Sequence, residues 1–224
     1  MLQPGGFCAD LRAAVELKHR YIVVEGPIGV GKTALTRALA KRFGARTVFE
    51  IVEENPFLAS FYQDRNKYAF QTQLFFLLSR FKQQQELFSQ VTVSDYLFAK
   101  DRIFASITLD PNELALYERV YEHLGPRVMK PDLVIYLQAR LDVLLGRIRK
   151  RGREFERKFD SEYLAELSRT YNDFFHRYDE TPLLVINTSD IDFVESDKDF
   201  DELIRAVGSI RAGTHYYQPL GTKV

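Results

Sequence analysis

The sequence predicts a parallel α/β sheet with helices on both faces, and three observations lead there. Short apolar runs of strand length alternate with longer stretches of helical period. Five strand candidates occur in a strand–loop–helix order, with extra helices between the second and third and between the third and fourth. The first candidate runs straight into a glycine-rich turn and then a helix, an order suited to a parallel sheet whose strand ends carry ligand sites.

Residues 1–20 read as a loop and short helix leading in. Tyr21-Ile22-Val23-Val24-Glu25 is a buried strand. It is followed by Gly26-Pro27-Ile28-Gly29-Val30-Gly31-Lys32-Thr33, which fits the phosphate-loop pattern G-x-x-x-x-G-K-[ST] without a gap. Glycines let backbone N–H groups turn inward around phosphate oxygens, and the helix start adds positive potential. Lys32 should reach the terminal phosphates, and the Thr33 hydroxyl should sit on Mg²⁺. The helix over 32–43 closes at Gly44. A nucleoside triphosphate is the implied ligand.

The second strand, 45–49, ends at Glu50, with Glu53 and Glu54 close behind. Ligands gather at the carboxyl ends of strands in open α/β sheets, so Glu50 is placed to act. A short helix over 57–62 precedes a long one over 67–90, with Phe70, Leu74, Leu77, Leu78 and Phe81 near helical spacing. Gln73 and Arg80, seven residues apart, share a face of it. By spacing alone they are either a base-reading pair or a polar surface stripe. The long helix carries more apolar surface than one small domain buries, which predicts packing against its mate in a homodimer.

The third strand, 91–95, ends at Asp95. That acid is either a water-mediated Mg²⁺ ligand and support for the nucleophile, or a helix N-cap. Asp101 and Arg102 follow on a helix. Asp110-Pro111-Asn112-Glu113 starts another that runs to 124. The fourth strand spans 132–137 and the fifth 182–188. Between them a helix over 141–150 runs into a stretch, 147–157, that contains five arginines. Arginine suits a lid that closes on a polyphosphate and balances transition-state charge. Helices over 161–178 and 200–211 follow, and 212–224 read as a polar tail.

The chain has 224 residues, enough for one α/β domain, and no internal repeat or linker divides it, so 1–224 is read as a single domain. Lys plus Arg and Asp plus Glu both count 31, which argues against bulk nucleic-acid binding. Cys8 is the only cysteine, so no internal disulfide forms. No apolar run approaches the ~20 residues of a membrane span, and Met1 to Asp10 lack a secretory pattern. The expectation is a cytoplasmic protein with no membrane partner.

Together the ordered motifs resemble the deoxyribonucleoside kinase family. The resemblance rests on 26–33, on Glu50 in Glu-Ile-Val-Glu-Glu-Asn-Pro, and on Tyr62 eleven residues before Gln73 with Arg80 seven after it. It rests also on Asp95 and Asp101 six apart, and on Arg151-Gly152-Arg153 with Glu156. It covers roughly residues 20–210 and is strongest toward the bacterial deoxyadenosine/deoxyguanosine kinase branch. It implies that Glu50 is the general base for the 5′-hydroxyl and that Tyr62 and Glu156 bind the 3′-hydroxyl. Gln73 would hydrogen-bond the base, and Arg80 would pair with Asp101 at the base edge. Arg147, Arg151 and Arg153 would close over the phosphates, and Asp192 and Phe193 would cradle the adenine of ATP.

One departure stands out. The family often has Asp/Glu-Arg-Ser at the end of the third strand, and here the residues are Asp95-Tyr96-Leu97. The arginine's contact near the 5′-oxygen must come from elsewhere, with Lys100 and Arg102 as candidates. Phe104 stands one residue off the spacing of the aromatic that stacks on the base.

Arg80 points to purine deoxynucleosides or deoxycytidine, because thymidine-preferring members tend to be apolar there. Two other functions remain to be compared. A nucleoside-monophosphate kinase such as thymidylate kinase would share the loop and the lid, but Glu50 would repel an acceptor phosphate. A nucleotide-binding switch would carry an Asn-Lys-x-Asp motif, and Asn187-Thr188-Ser189-Asp190 lacks the lysine.

Overall fold

The structure is a computed structural model that describes residues 18–85, 90–153, 160–191 and 196–217. Its centre is a sheet in the order β2-β3-β1-β4-β5-β6. The strands are β1 (Tyr21–Glu25), β2 (Arg46–Val48), β3 (Thr92–Ser94), β4 (Leu133–Gln138), β5 (Leu183–Asn187) and β6 (Thr214–Tyr217). Every pairing is parallel. β1, β3 and β4 are buried almost throughout, as a sheet covered on both faces requires.

Eight helices flank it among the described residues: α1 (Lys32–Phe43), α2 (Leu58–Gln63), α3 (Arg65–Gln84), α4 (Lys100–Thr108), α5 (Pro111–Leu124), α6 (Leu141–Arg151), α7 (Ser161–His176) and α8 (Asp197–Ser209). Local chemistry sets their ends. Asp64 caps α3 by accepting from the Lys67 N–H at 3.2 Å. Asp110 and Glu113 form a reciprocal capping box on α5, with Pro111 in the first turn. Gly44 and Gly152 end α1 and α6 in the left-handed conformation.

Two expectations need correction. The sheet has six strands, not five, because Thr214–Tyr217 pairs in parallel with β5 at the sheet edge. Those residues are β-branched and aromatic, but three of the four are exposed, so the stretch lacks the apolar run that marks the inner strands. The long helix spans Arg65–Gln84 rather than 67–90. Its start is set by the Asp64 cap, and residues 86–89 lie outside the described residues.

No helix among the described residues is long and apolar enough to cross a membrane.

The switch in strand order around β1 matters most for function. The chain passes from β1 to β2 on one side, and β4 lies on the other. A crevice opens at the carboxyl ends of the strands at such a point.

Candidate active site

The phosphate loop fills that crevice. β1 ends at Glu25, and α1 begins at Lys32. Gly29 has φ +84°, and an added Cβ there would lie 2.8 Å from Ile148 Cγ1 and from the Leu144 carbonyl oxygen. Glycine is therefore required both by the backbone and by the close approach of α6. Lys32 Nζ donates to the carbonyl oxygens of Gly26 at 2.7 Å and Pro27 at 3.2 Å, so its side chain curls over the loop.

Glu25 anchors the base of the loop. Fully buried, it accepts from the Gly26 N–H at 2.8 Å, the Leu97 N–H at 2.7 Å and the Tyr171 hydroxyl at 3.1 Å. One carboxylate thus ties β1 to the segment after β3 and to α7. Sequence reasoning missed it; the signal was an acid closing an otherwise apolar strand.

The carboxyl ends of β2 and β3 bring two further acids beside the loop. Asp95 Oδ2 accepts from the Thr33 hydroxyl at 2.7 Å, and Oδ1 accepts from the Glu50 N–H at 2.8 Å. Asp95 is not a helix cap, since α4 starts five residues later. Its position fixes the backbone of Glu50 against the loop.

The Glu50 side chain meets two cations. Oε1 accepts from Arg80 of α3, and Oε2 accepts from Lys100 Nζ of α4 at 2.7 Å. Burial alone would raise the pKa of this carboxyl, but Lys100 and Arg80 more than offset it and hold Glu50 well below the usual carboxylate range. The second terminal nitrogen of Arg80 holds Asp101. Asp101 is fully buried behind Arg80, and its Oδ2 has no hydrogen-bond partner among the described residues. Burial pushes the Asp101 carboxyl up to about 6 against the pull of Arg80. Gln73 and Arg80 are both buried, so they do not form a surface stripe. Gln73 donates to the Thr108 hydroxyl at 3.4 Å.

A cavity of about 640 Å³ joins these groups. Val30, Lys32 and Thr33 line one end, and Tyr62, Gln73, Phe76 and Phe104 line the other, with Glu50, Arg80, Asp95 and Lys100 between them. Phe104 therefore faces the cavity in spite of its one-residue offset. Its ring also meets Tyr171 edge-on, with centroids 6.2 Å apart. The lining has two characters, a polar part from the loop and an aromatic part from α2, α3 and α4, with carboxylate and ammonium groups beside both.

The arginines divide. Arg147 lies on α6 and donates to the carbonyl oxygens of Val30, Thr188 and Ile191 and to the Thr188 hydroxyl, at 2.8–3.3 Å. It braces the loop against the end of β5. Arg151 ends the same helix and Arg153 lies just beyond its Gly152 cap, and both line the cavity. Arg153 donates to Glu53 at 3.1 Å across the mouth. Arg102 points elsewhere: it pairs with Glu118 at 3.0 Å and covers Tyr121. Glu156, Asp192 and Phe193 lie outside the described residues.

Burial, and next the nearby Lys100 ammonium, lower the pKa of Lys32 to about 8. A polyanion entering the loop would restore its charge. The arrangement suits phosphate at one end and an acceptor hydroxyl beside Glu50.

The deoxynucleoside kinase family model matches residues 22–211, which spans the whole site. The chain belongs to the deoxynucleoside kinase family. These kinases are ATP-dependent phosphotransferases, and such transfer uses a divalent metal with the nucleotide. Among relatives of this kinase, a deoxyguanosine kinase of Bacillus subtilis is 39% identical over 193 residues, covering 82% of this chain and 93% of its own. A deoxyadenosine kinase of Lactobacillus acidophilus is 34% identical over 211 residues, covering 84% and 98%. The structure of deoxyadenosine kinase from M. mycoides with bound dATP superposes with a TM-score of 0.73 at 28% identity, covering 84% of this kinase and 98% of that chain.

Proposed function

We propose that this kinase transfers the γ-phosphate of ATP to the 5′-hydroxyl of a purine deoxynucleoside, for nucleotide salvage in the cytoplasm. The single observation that carries the reading is the placement of Glu50 at the junction of the phosphate loop and the aromatic end of one cavity. The 5′-oxygen attacks the γ-phosphorus, the bond from phosphorus to the bridging oxygen breaks, and ADP leaves. Glu50 takes the hydroxyl proton. Holding the two reactants in line is most of what such an enzyme must do.

Both Glu50 oxygens are occupied in the free protein. On this reading Arg80 turns toward the incoming base and releases Oε1 for the proton. Gln73 and Arg80 read the base, with Asp101 behind Arg80 as its anchor. Arginine only donates, so it favours an acceptor on the base edge, while the Gln73 amide both donates and accepts. Relatives named deoxyguanosine kinase and deoxyadenosine kinase support a purine. Phe104 or Phe76 supplies an aromatic face, and Tyr62 with Glu156 takes the 3′-hydroxyl. Arg151 and Arg153 close on the phosphates, with Arg147 as the brace beneath, while Asp192 and Phe193 hold the donor adenine.

The metal is read as Mg²⁺. The Thr33 hydroxyl and the Asp95 carboxylate, 2.7 Å apart, offer the small oxygen set that suits an ion keeping most of its ligands as water and phosphate. When bound, it supplies charge neutralisation on the phosphate oxygens.

We also read the kinase as a homodimer. Leu78 on α3 and Leu116 on α5 are 48% and 52% exposed, on helices that pack together. A light-scattering mass of a single 26.1 kDa species at micromolar concentration would contradict this.

Phosphorus NMR of reaction mixtures tests the central reading. With Mg²⁺ and ATP, a purine deoxynucleoside should yield its 5′-monophosphate. Product formed only from a deoxynucleoside monophosphate would indicate a monophosphate kinase instead. ATP consumption that ignores every acceptor would indicate a switch.

A further inference from the structure

The arginine that the family often carries after the strand-end acid is replaced here by Tyr96. Tyr96 is fully buried and does not line the cavity, so it brings no charge to the reacting atoms. Arg102 is engaged with Glu118 on the outside of α4. Of the two candidates for the missing arginine, Lys100 remains. Its side chain is 5% exposed, it lines the cavity, and its ammonium lies 2.7 Å from Glu50 Oε2.

From this geometry we infer that Lys100 is the positioning residue for Glu50, holding one carboxylate oxygen so that the other faces the 5′-hydroxyl. The inference rests on the kinase reading above.

Charge balance gives the reason. Around the junction stand Lys32, Arg80 and Lys100 against Glu50, Asp95 and Asp101. The three cations match the three carboxylates, and the reaction then brings a triphosphate among them. Arg80 is the cation that turns to the base on this reading. Without Lys100, Glu50 would then be left without a cation in hydrogen-bond contact as negative charge arrives. Its carboxylate would swing or take up a proton before the transfer, and a buried carboxylate that loses its partner is costly to hold. Lys100 is well placed to stay. It is the first residue of α4, the next residue is Asp101, and its Nζ also lies 5.5 Å from the Phe104 ring centroid. One helix start therefore carries the tether of the base, the anchor of the base-reading arginine and an aromatic wall of the nucleoside end.

Steady-state kinetics on three variants test this, with Mg-ATP and a purine deoxynucleoside. Lys100→Met removes the charge at similar volume. Lys100→Gln keeps a hydrogen-bond donor without the charge, and Lys100→Arg keeps both. The expected result is a fall in kcat on the order of 10²-fold for Lys100→Met and Lys100→Gln, with the KM for ATP within about threefold of wild type. Lys100→Arg should recover to within about tenfold of wild type. Wild-type kcat in Lys100→Met overturns the inference, and so does an equal loss in all three variants, which is what a packing role predicts. If Lys100→Met does not fold, Lys100→Gln against Lys100→Arg decides. A wild-type protein that phosphorylates no deoxynucleoside overturns the kinase reading, and this inference with it. An active wild type with a full-rate Lys100→Met overturns the inference alone.

Discussion

Arg80 holds two carboxylates at once: one terminal nitrogen of its guanidinium bonds Asp101 and the other bonds Glu50. On the function proposed above, this wires the base-reading residue to the residue that accepts the proton. Arg80→Met should lower kcat/KM for purine deoxynucleosides at least tenfold further than for thymidine, because only purines lose a base contact. Equal loss on both would leave Arg80 as a clamp on Glu50 and nothing more. The same substitution strands Asp101 in the interior, and urea denaturation should show a loss of about 3–5 kcal/mol.

Lys32 sets a pH dependence. Its pKa is lowered to about 8, by burial first and Lys100 next. Above that pH the free enzyme carries a neutral Lys32, and a bound triphosphate favours the charged form. ATP binding should therefore take up a proton at and above pH 8, and the Kd should rise toward tenfold per pH unit. Calorimetry in two buffers of different ionisation enthalpy measures the uptake. A Kd independent of pH between 7.5 and 9 would contradict the assignment.

Glu25 should prove to be structural. Glu25→Gln sets an NH₂ group against the backbone and hydroxyl donors that the carboxylate now receives. A stability loss of about 2–3 kcal/mol in urea is expected. ATP affinity should weaken as well, because Gly26 opens the phosphate loop. Unchanged stability would mean that Gly26, Leu97 and Tyr171 find other partners.

Gly29→Ala should separate loop geometry from chemistry. Positive φ and the 2.8 Å approach to Ile148 and Leu144 leave no room for a methyl group. ATP affinity should fall on the order of tenfold, with a stability loss of about 1–3 kcal/mol measured by thermal unfolding. Wild-type affinity would show that α6 gives way to the loop.

Much of this was legible in the chain, and what was not has physical causes. The phosphate loop is a local motif, and a local motif carries its own geometry. Glu50 and Asp95 were legible because strand ends in a parallel sheet share one crevice. Spacing alone left Gln73 and Arg80 open between surface and site, and only packing against α4 decided for burial. The Lys100–Glu50 contact joins residues fifty apart, so no window of sequence contains it. β6 was missed because an exposed edge strand needs no apolar run. Its partner β5 supplies the register instead.

The most direct measurement is the turnover of Glu50→Gln beside wild type, on deoxyguanosine and deoxyadenosine with Mg-ATP. Loss of the base should cost about 10²–10⁴-fold in kcat while ATP still binds, since general-base catalysis contributes on that order. Full turnover in the variant would contradict the account at its centre, because the carboxylate that Arg80 and Lys100 hold, on a backbone that Asp95 fixes, would then have no part in the transfer.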